Sequence, residues 1–501
     1  MQELRDLIFI VNKRKLSQIE LFDKTLISGK DTLFTKLYNG ISEGSYANDE
    51  DAARDIYEAD MQDVRYRKLK SRFKKRLLNT LYFLDLNDTA KISLSEKQYF
   101  NSLNKLYLSH IIQKYGGLRR TALQITQEAY TIGEKYAFFD IIKEFSYQHL
   151  AYYSLSGEQK NFLKELEKYK QYNAAFQSER ESFLIYYQAS IYFSDKEAIT
   201  EEMLEEVKQF IGKLEKLNNE NNSLTIFSNY TLVQLLYYQH TIELNKVVEI
   251  ADHFLKNIDN YPENNYKNTY EYSVYIYKMK AYLDLRMYEE AHLLCLDVKK
   301  KIEGTNWFVM MEFDMKMALN SFQIHLAKEI EAEVRHHPQF KLLMPNLKER
   351  WKIYFAYAAF LHDYIDEGSY KFSVAKLFNE IPVIFQDKAG FNLSARILEI
   401  LFLIGKNDLV GILSKIDSLK VYLNRYLNES SYRRSKLFLK LIVLLEKKNF
   451  NYKELRQAKE YLILKNEYRH QINHESEVIA YDKLWEIILD IIEKNDRKLV
   501  K

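Results

Sequence analysis

The stretch YIYKMKAYLDLRMYEEAHLLCLDV, residues 275–298, reads as a helical hairpin. Its first half is rich in tyrosine and apolar over most of its circumference. Its second half carries charge and keeps apolar residues at three- and four-residue spacing, as a helix buried on one face requires. The break falls at Met287-Tyr288. The same order recurs on both sides. Aromatic segments such as HLAYYSLSG, IYYQASIYFSD, LLYYQHTIELN and YFAYAAFLHDYIDEG come before a turn signal. More charged segments such as NFLKELEKYKQY, EEMLEEVKQFIGKLEKL and LVGILSKIDSLKVYL come after one. The signals stand at Gly116-Gly117, Gly157, Ser194-Asp195, Asn245, Met287-Tyr288, Glu367-Gly368, Lys406-Asn407 and Lys448-Asn449. With one further turn near Ala327, the mean interval is about 42 residues, which predicts a stack of helix pairs. The first helix of each pair is the more apolar, so it should be buried on two sides.

Within 275–298, Ala281-Tyr282-Leu283 followed by Tyr288-Glu289-Glu290-Ala291 resembles a tetratricopeptide (TPR) repeat. In that family a small residue, here Ala291, lets the second helix approach the first, and an aromatic, here Tyr282, fills the space between units. Met279 stands near the family's usual first-helix glycine, and the usual closing proline is absent. The other units share the outline only, and their period exceeds the family's repeat of about 34 residues. The resemblance implies an all-α protein, a right-handed α-solenoid of TPR-like helix pairs over residues 91–475. A separate N-terminal helical region (1–90) precedes it and a C-terminal capping helix (476–501) closes it. A HEAT-like solenoid is the alternative.

Composition agrees with helices. The 501 residues include only 13 glycines and 4 prolines, Pro262, Pro338, Pro345 and Pro382, too few for the tight turns of a β-sandwich or a doubly wound sheet. Hydrophobic residues make up 47% and charged residues 29% with a net charge of +3, which fits a folded chain without a global affinity for polyanions. The single cysteine, Cys295, cannot form an internal disulfide, and this points to a reducing compartment. The start MQELRDLIFIVNKRKL lacks the features of a secretory signal, and runs such as LFLKLIVLL are too short to span a membrane. The expected location is cytoplasmic, with no membrane contact.

The first 90 residues lack the repeat signature. Ser93 followed by Glu96 in SLSEKQYF predicts a capping box that opens the repeat region. Before it lie two charge blocks. Residues 49–63 carry Asp49, Glu50, Asp51, Asp55, Glu58, Asp60 and Asp63 against Arg54. Residues 65–76 carry Arg65, Arg67, Lys68, Lys70, Arg72, Lys74, Lys75 and Arg76. Leu69, Phe73, Leu77 and Leu81 form a stripe at four-residue spacing, so the second block reads as one amphipathic helix with a basic surface. The order short helix, turn, basic helix looks like a helix-turn-helix, with Arg65, Arg67, Lys68, Arg72 and Lys75 as polyanion or acidic-partner candidates. The turn lacks the glycine common in such motifs, and the acidic block offsets the basic one. Three readings stay open: the helix packs on its acidic neighbour, it docks an acidic protein, or it meets nucleic acid.

No enzyme signature stands out. His470 and His474 share a helix face, but HQINH lacks the glutamate of zinc proteases. Glu-x-x-His occurs at Glu289/His292, Glu333/His336 and Glu467/His470, in different units, where no common di-iron site can form. His362-Asp363, with His336 and Asp387, resembles the HD phosphohydrolase ligand set only loosely. SGKDT at Ser28–Thr32 lacks the earlier glycine and the Ser or Thr of a phosphate loop. Cys295 reads as a small core residue. Four methionines, Met310, Met311, Met315 and Met317, suit either a core helix or an adaptable groove. The expectation is therefore a non-catalytic protein–protein interaction scaffold with no cofactor. Its partner-binding candidates are Tyr153, Tyr187, Tyr238, Tyr275 and Tyr277 on the first helices. The alternative is a nucleic-acid-linked regulator that uses the basic N-terminal helix.

Overall fold

A chain reversal between two helices must satisfy the last carbonyls of the first. Here one solution recurs. The backbone N–H of Phe138, Glu158, Glu243, Met287, Gln323, Gly368, Asp408 and Phe450 each donates to the carbonyl five residues earlier, at 2.7 to 3.0 Å. Ala137, Gly157, Ile242, Arg286, Phe322, Asn407 and Asn449, each just before one of these donors, are left-handed. This is the Schellman closure. From Glu243 onward it returns every 36 to 45 residues, the period read from the sequence.

The computed structural model describes residues 5, 32–46, 48–82, 93–194, 199–261, 264–366, 368, 370–381, 391–426, 433–466 and 477–499. Among these the regular structure is helical and no strand occurs. The chain divides into two compact units, Met1–Tyr172 and Asn173–Lys501. The division lies well beyond the composition change near residue 90. It falls inside one 36-residue helix, which merges NFLKELEKYKQY and IYYQASIYFS into a single rod, because residues 159–194 contain neither glycine nor proline to stop it.

In the first unit, α1 (Leu33–Ser42), α2 (Asp49–Tyr57) and α3 (Val64–Leu81) pack on one another around Leu37, Ala52, Ala53, Tyr66, Leu69 and Phe73. α4 (Leu94–Gly116), α5 (Arg119–Lys135) and α6 (Phe139–Ser156) form a second group around Tyr130, Phe138, Ile142 and Phe145. The capping box forms at the start of α4: Glu96 N–H donates to Ser93 Oγ at 3.2 Å, and Ser93 N–H donates to Glu96 Oε2 at 2.9 Å. α7 (Gln159–Ser194) follows.

The second unit continues with α8 (Glu201–Glu220), α9 (Leu224–His240), α10 (Leu244–Asn257), α11 (Lys267–Leu285), α12 (Tyr288–Val298), α13 (Thr305–Asn320), α14 (Ile324–His336) and α15 (Pro345–Ile365). Then come α16 (Val374–Asn379), α17 (Phe391–Gly405), α18 (Leu409–Tyr426), α19 (Arg433–Lys447), α20 (Tyr452–Arg456), α21 (Lys459–Asn466) and α22 (Tyr481–Leu499). From α8 to α15 each helix packs on the next. Beyond that, α9, α11, α13, α15 and α17 form their own run, each touching the next in the series. These are the aromatic first helices, and the run explains their burial: α13 keeps Met310, Met311, Met315 and Met317 in the core, and α15 buries Trp351, Tyr354 and Tyr357 completely.

Two turns stand a few residues earlier than their sequence signals. Asn245 lies inside α10 and Ala327 is buried inside α14; the reversals occur at Ile242 and Phe322. A β-branched and an aromatic residue hold the left-handed positions there, so neither turn carries a glycine or asparagine to announce it.

The C-terminal helix packs against α17, α19, α20 and α21. The segment leading into it also crosses the end of α13. The Asn320 carboxamide donates to Val478 O at 3.0 Å and accepts from Ala480 N–H at 2.9 Å. Lys483 reaches Tyr288 Oη at 3.0 Å and the Asn320 carbonyl, and Arg286 pairs with Asp482 at 2.6 Å. Arg434 is buried between Glu477 and Asp482, at 3.0 and 3.5 Å. Trp485, Ile488 and Leu484 are wholly buried.

The left-handed isoleucine yields a prediction of unusual sign. Left-handed backbone costs a residue with a Cβ about 1–2 kcal/mol, while glycine's extra freedom in the unfolded chain offsets about half of that. That leaves about 0.5–1 kcal/mol, part of which the loss of the partly buried side chain takes back, so Ile242→Gly is expected to raise the thermal midpoint only slightly. A clear fall in a melting experiment would contradict the turn geometry.

Candidate functional site

Two surfaces carry chemistry that the fold itself does not use. The first runs along α7 within the second unit. Ile185, Ala189 and Phe193 are buried against Val207, Phe210 and Leu214 of α8 and Val233 and Tyr237 of α9. Ser182 accepts from Asn229 Nδ2 at 2.9 Å, and Ser223 Oγ donates to Glu179 at 2.5 Å. These contacts fix the rotation of α7 and turn its opposite side outward. There Leu184, Tyr187 and Ile191 are 63, 59 and 66% exposed. Positions 183, 184, 187 and 191 fall within about 100° of arc and so form one stripe. The Phe183 ring stacks on Tyr187 at 5.9 Å and meets Tyr266 of the α11 approach edge-on at 6.4 Å. Tyr266 is exposed as well.

Of the five tyrosines read from the sequence as partner contacts, Tyr187 is the one on this stripe. Tyr238 and Tyr277 are half-buried and converge with Tyr186 on the core shared by α9, α10 and α11. Lys246 lies over the Tyr238 ring at 4.8 Å. Burial raises the Tyr277 hydroxyl above its ordinary pKa. Tyr275 is only 7% exposed and belongs to the core, where burial raises its hydroxyl too. Tyr153 is half-buried in the first unit, edge-on to Tyr152 at 5.6 Å and to His149 at 6.2 Å. No continuous ladder of exposed tyrosines results, because the side chains that the sequence left free to face outward fill the spaces between helices. Phe183, Leu184, Ile191 and Tyr266 lack the repeated-tyrosine signal that marks the other candidates in the sequence.

The second surface is α3. Asp63 caps its first turn, accepting from Arg65 N–H at 2.7 Å and Tyr66 N–H at 3.4 Å. Tyr66, Leu69 and Phe73 face the core. The acidic block answers part of the basic one. Asp49 accepts from Tyr66 Oη at 2.6 Å and pairs with Lys70 at 2.7 Å, and the Lys70 ammonium holds its carboxyl below the usual range. Asp63 pairs with Arg65 at 2.9 Å, which brings its pKa down to about 2. Asp55 is taken by Lys36 and Tyr46. Arg72 and Arg76 lie over the Phe34 ring at 5.8 and 4.2 Å. The remaining cations, Arg67, Lys68, Lys74 and Lys75, are exposed, and among the described residues no carboxylate lies within ion-pair distance of them.

The candidate catalytic side chains are separately engaged. His292 Nδ1 lies 2.7 Å from Asp314, whose carboxyl burial holds above its usual range. Glu333 pairs with Lys299 at 2.8 Å, His336 Nδ1 donates to Ala332 O at 2.7 Å, and His362 meets Asp366 at 3.1 Å. Cys295 is fully buried, donates weakly to Met310 O at 3.7 Å, and is pushed up in pKa by that burial, so it stays a thiol. Among the described residues no three His, Cys, Asp or Glu side chains converge in a metal-holding group. Glu467, His470, His474, Asp387 and residues 28–31 lie outside the described residues. One cavity of about 580 Å³ lies in the first unit, lined by Arg119, Arg120, Gln124, Tyr152 and Ser156 among others.

The core-facing side of α7 packs against a half-buried histidine. His240, at the end of α9, sits against Phe193 with ring centroids 4.4 Å apart, and burial lowers its pKa from 6.5 to about 4. The folded state holds the ring neutral. As pH falls below 6.5 the unfolded chain takes up the proton first, so the stability present above 6.5 is lost between there and about 4. From pH 7 to about 5 the loss should approach ~2 kcal/mol, and His240→Phe should flatten that part of the profile in pH-dependent melts. Parallel profiles for the two proteins would refute a buried neutral ring. Compared with known proteins, the chain matches no family model, no curated protein and no solved structure.

Proposed function

We propose that this protein is a non-catalytic interaction scaffold, a TPR-like α-solenoid that docks a protein segment on its aromatic first helices. The observation that carries the reading is the α7 stripe of Phe183, Leu184, Tyr187 and Ile191, joined by Tyr266. Leu184, Tyr187 and Ile191 are large side chains exposed in a row on a helix whose other faces are locked, and the half-buried Phe183 ring backs Tyr187. Stacked aromatics of this kind are the usual anchors of protein interfaces.

Three features support the repeat reading. The helix pairs return at a regular period, and the first helices contact one another in series. Ala291, the small residue that the TPR resemblance requires, is completely buried, and Tyr282 is buried beside it in the same core. Scaffolds of stacked helix pairs bind along such surfaces because neighbouring units present equivalent positions side by side.

The test is an affinity capture with the full chain from its own cells, run in parallel with Tyr187→Ala/Ile191→Ser. Both positions are exposed, so melting temperature should stay within a degree or two. Loss of an aromatic and an aliphatic anchor should weaken the specific partner by about 30-fold or more, equivalent to about 2 kcal/mol. If the same partners are recovered equally by the variant, the α7 stripe is not the docking surface.

A further inference from the structure

We infer that the free face of α3 binds the phosphodiester backbone of a nucleic acid. This is a second binding surface, separate in residues and chemistry from the α7 stripe. In the sequence the acidic and basic blocks nearly cancel; in the structure they stand on two helices and pair only in part. Asp49, Asp63 and Asp55 are spent on Lys70, Arg65 and Lys36, and on Tyr66 and Tyr46, while Glu50, Glu58 and Asp60 stay exposed on α2 and its flanks. Four cations are left over, and they are not scattered. Arg67 and Lys74 are seven residues apart, as are Lys68 and Lys75. Seven residues make nearly two turns, so each pair lies in a row along the helix with about 10 Å between its members. The rows are about 100° apart and flank Ser71. The result is a rectangle of cationic side chains on one helix face with a small polar residue at its middle.

That arrangement suits a polyanion of regular charge spacing better than a protein. A protein interface of this size centres on a large apolar or aromatic anchor with charges at its rim. Here the charges occupy the centre, and the exposed Leu78 and Leu81 lie towards the helix end. α3 is also presented as a reading element would be. It is 18 residues long and pinned along one side by Tyr66, Leu69 and Phe73, and its first turn is capped by Asp63. α1 and α2 are packed behind it. Its orientation is thus fixed without the four free side chains. Phosphate contacts of this kind position a protein on nucleic acid and confer no sequence preference, so binding should be general and strongly dependent on salt.

The experiment uses the full chain and fluorescence anisotropy with labelled duplex DNA, duplex RNA and single-stranded DNA of about 20 nucleotides, over about 25–200 mM salt. The first variant is Arg67→Gln/Lys68→Gln/Lys74→Gln/Lys75→Gln. The second, Lys213→Gln/Lys216→Gln/Lys328→Gln/Lys440→Gln, removes the same charge from exposed sites elsewhere; far-UV circular dichroism and melting check both folds. The wild-type chain and the second variant should bind at least one of the three nucleic acids, and the preferred probe identifies the source of the phosphates. In the first variant affinity at about 50 mM salt should fall by more than about 30-fold, and the slope of log affinity against log salt should flatten by about 3 to 4. Failure of the wild-type chain to bind any probe at low salt would overturn the inference. So would equal binding by the first variant. A poly-glutamate peptide bound more tightly than any nucleic acid through the same four residues would replace it with an acidic protein partner.

Discussion

The carboxamide of Asn320 ties the C-terminal segment to α13 within the second unit. It sits at the last residue of α13 and is completely buried, and it both donates to and accepts from the backbone of the segment that leads into α22. A bent, non-helical stretch of buried backbone has no helix to satisfy it, and each unpaired group would cost about 1–3 kcal/mol. Asparagine is suited to the place because one side chain supplies a donor and an acceptor at the spacing of a peptide unit. Once Val478 and Ala480 are held, Tyr481 stacks on Phe438 at 4.6 Å and the apolar length of α22 is laid into the core. The buried Arg434 with Glu477 and Asp482 then fixes register more than it adds stability, since a buried ion pair gains little over its desolvation.

The fold was legible where backbone chemistry and residue type agree. Gly117, Gly157, Asn407 and Asn449 are left-handed positions held by the residues that tolerate them best, and the turns were placed there correctly. Ile242 and Phe322 do the same work without the signature, so their turns were placed a few residues late. The Ser93–Glu96 capping box was readable because both of its partners are local. The long α7 reads as two helices in sequence because its composition changes partway, although nothing in 159–194 stops the helix. Asn320 could not have been found: its partners lie roughly 160 positions away in the chain, and an asparagine near a helix end reads as an ordinary cap.

The candidate surfaces were legible to different degrees. The basic helix was evident from its block of cations and its apolar stripe, of which Leu69 and Phe73 are buried while Leu77 and Leu81 are exposed. Which charges would be left over depended on tertiary pairing, as with Asp49 and Lys70, 21 residues apart. For the tyrosines, adjacent helical positions point in different directions, and sequence alone cannot say which direction the neighbouring helices occupy. Tyr275 and Tyr187 were equivalent as sequence and opposite as structure. The anchors on α7 are exposed because α8 and α9 take up its other faces.

The claim on which these readings rest is that the first helices and the C-terminal segment form one cooperative body. Hydrogen exchange followed by mass spectrometry, on the wild-type chain and on Asn320→Ala, tests it most directly. The account predicts that amides of residues 481–492 exchange together with those of α13 and α15 in the wild type, and that Asn320→Ala accelerates all three. Fast exchange of residues 481–492 in the wild type, with α13 and α15 still protected, would contradict it.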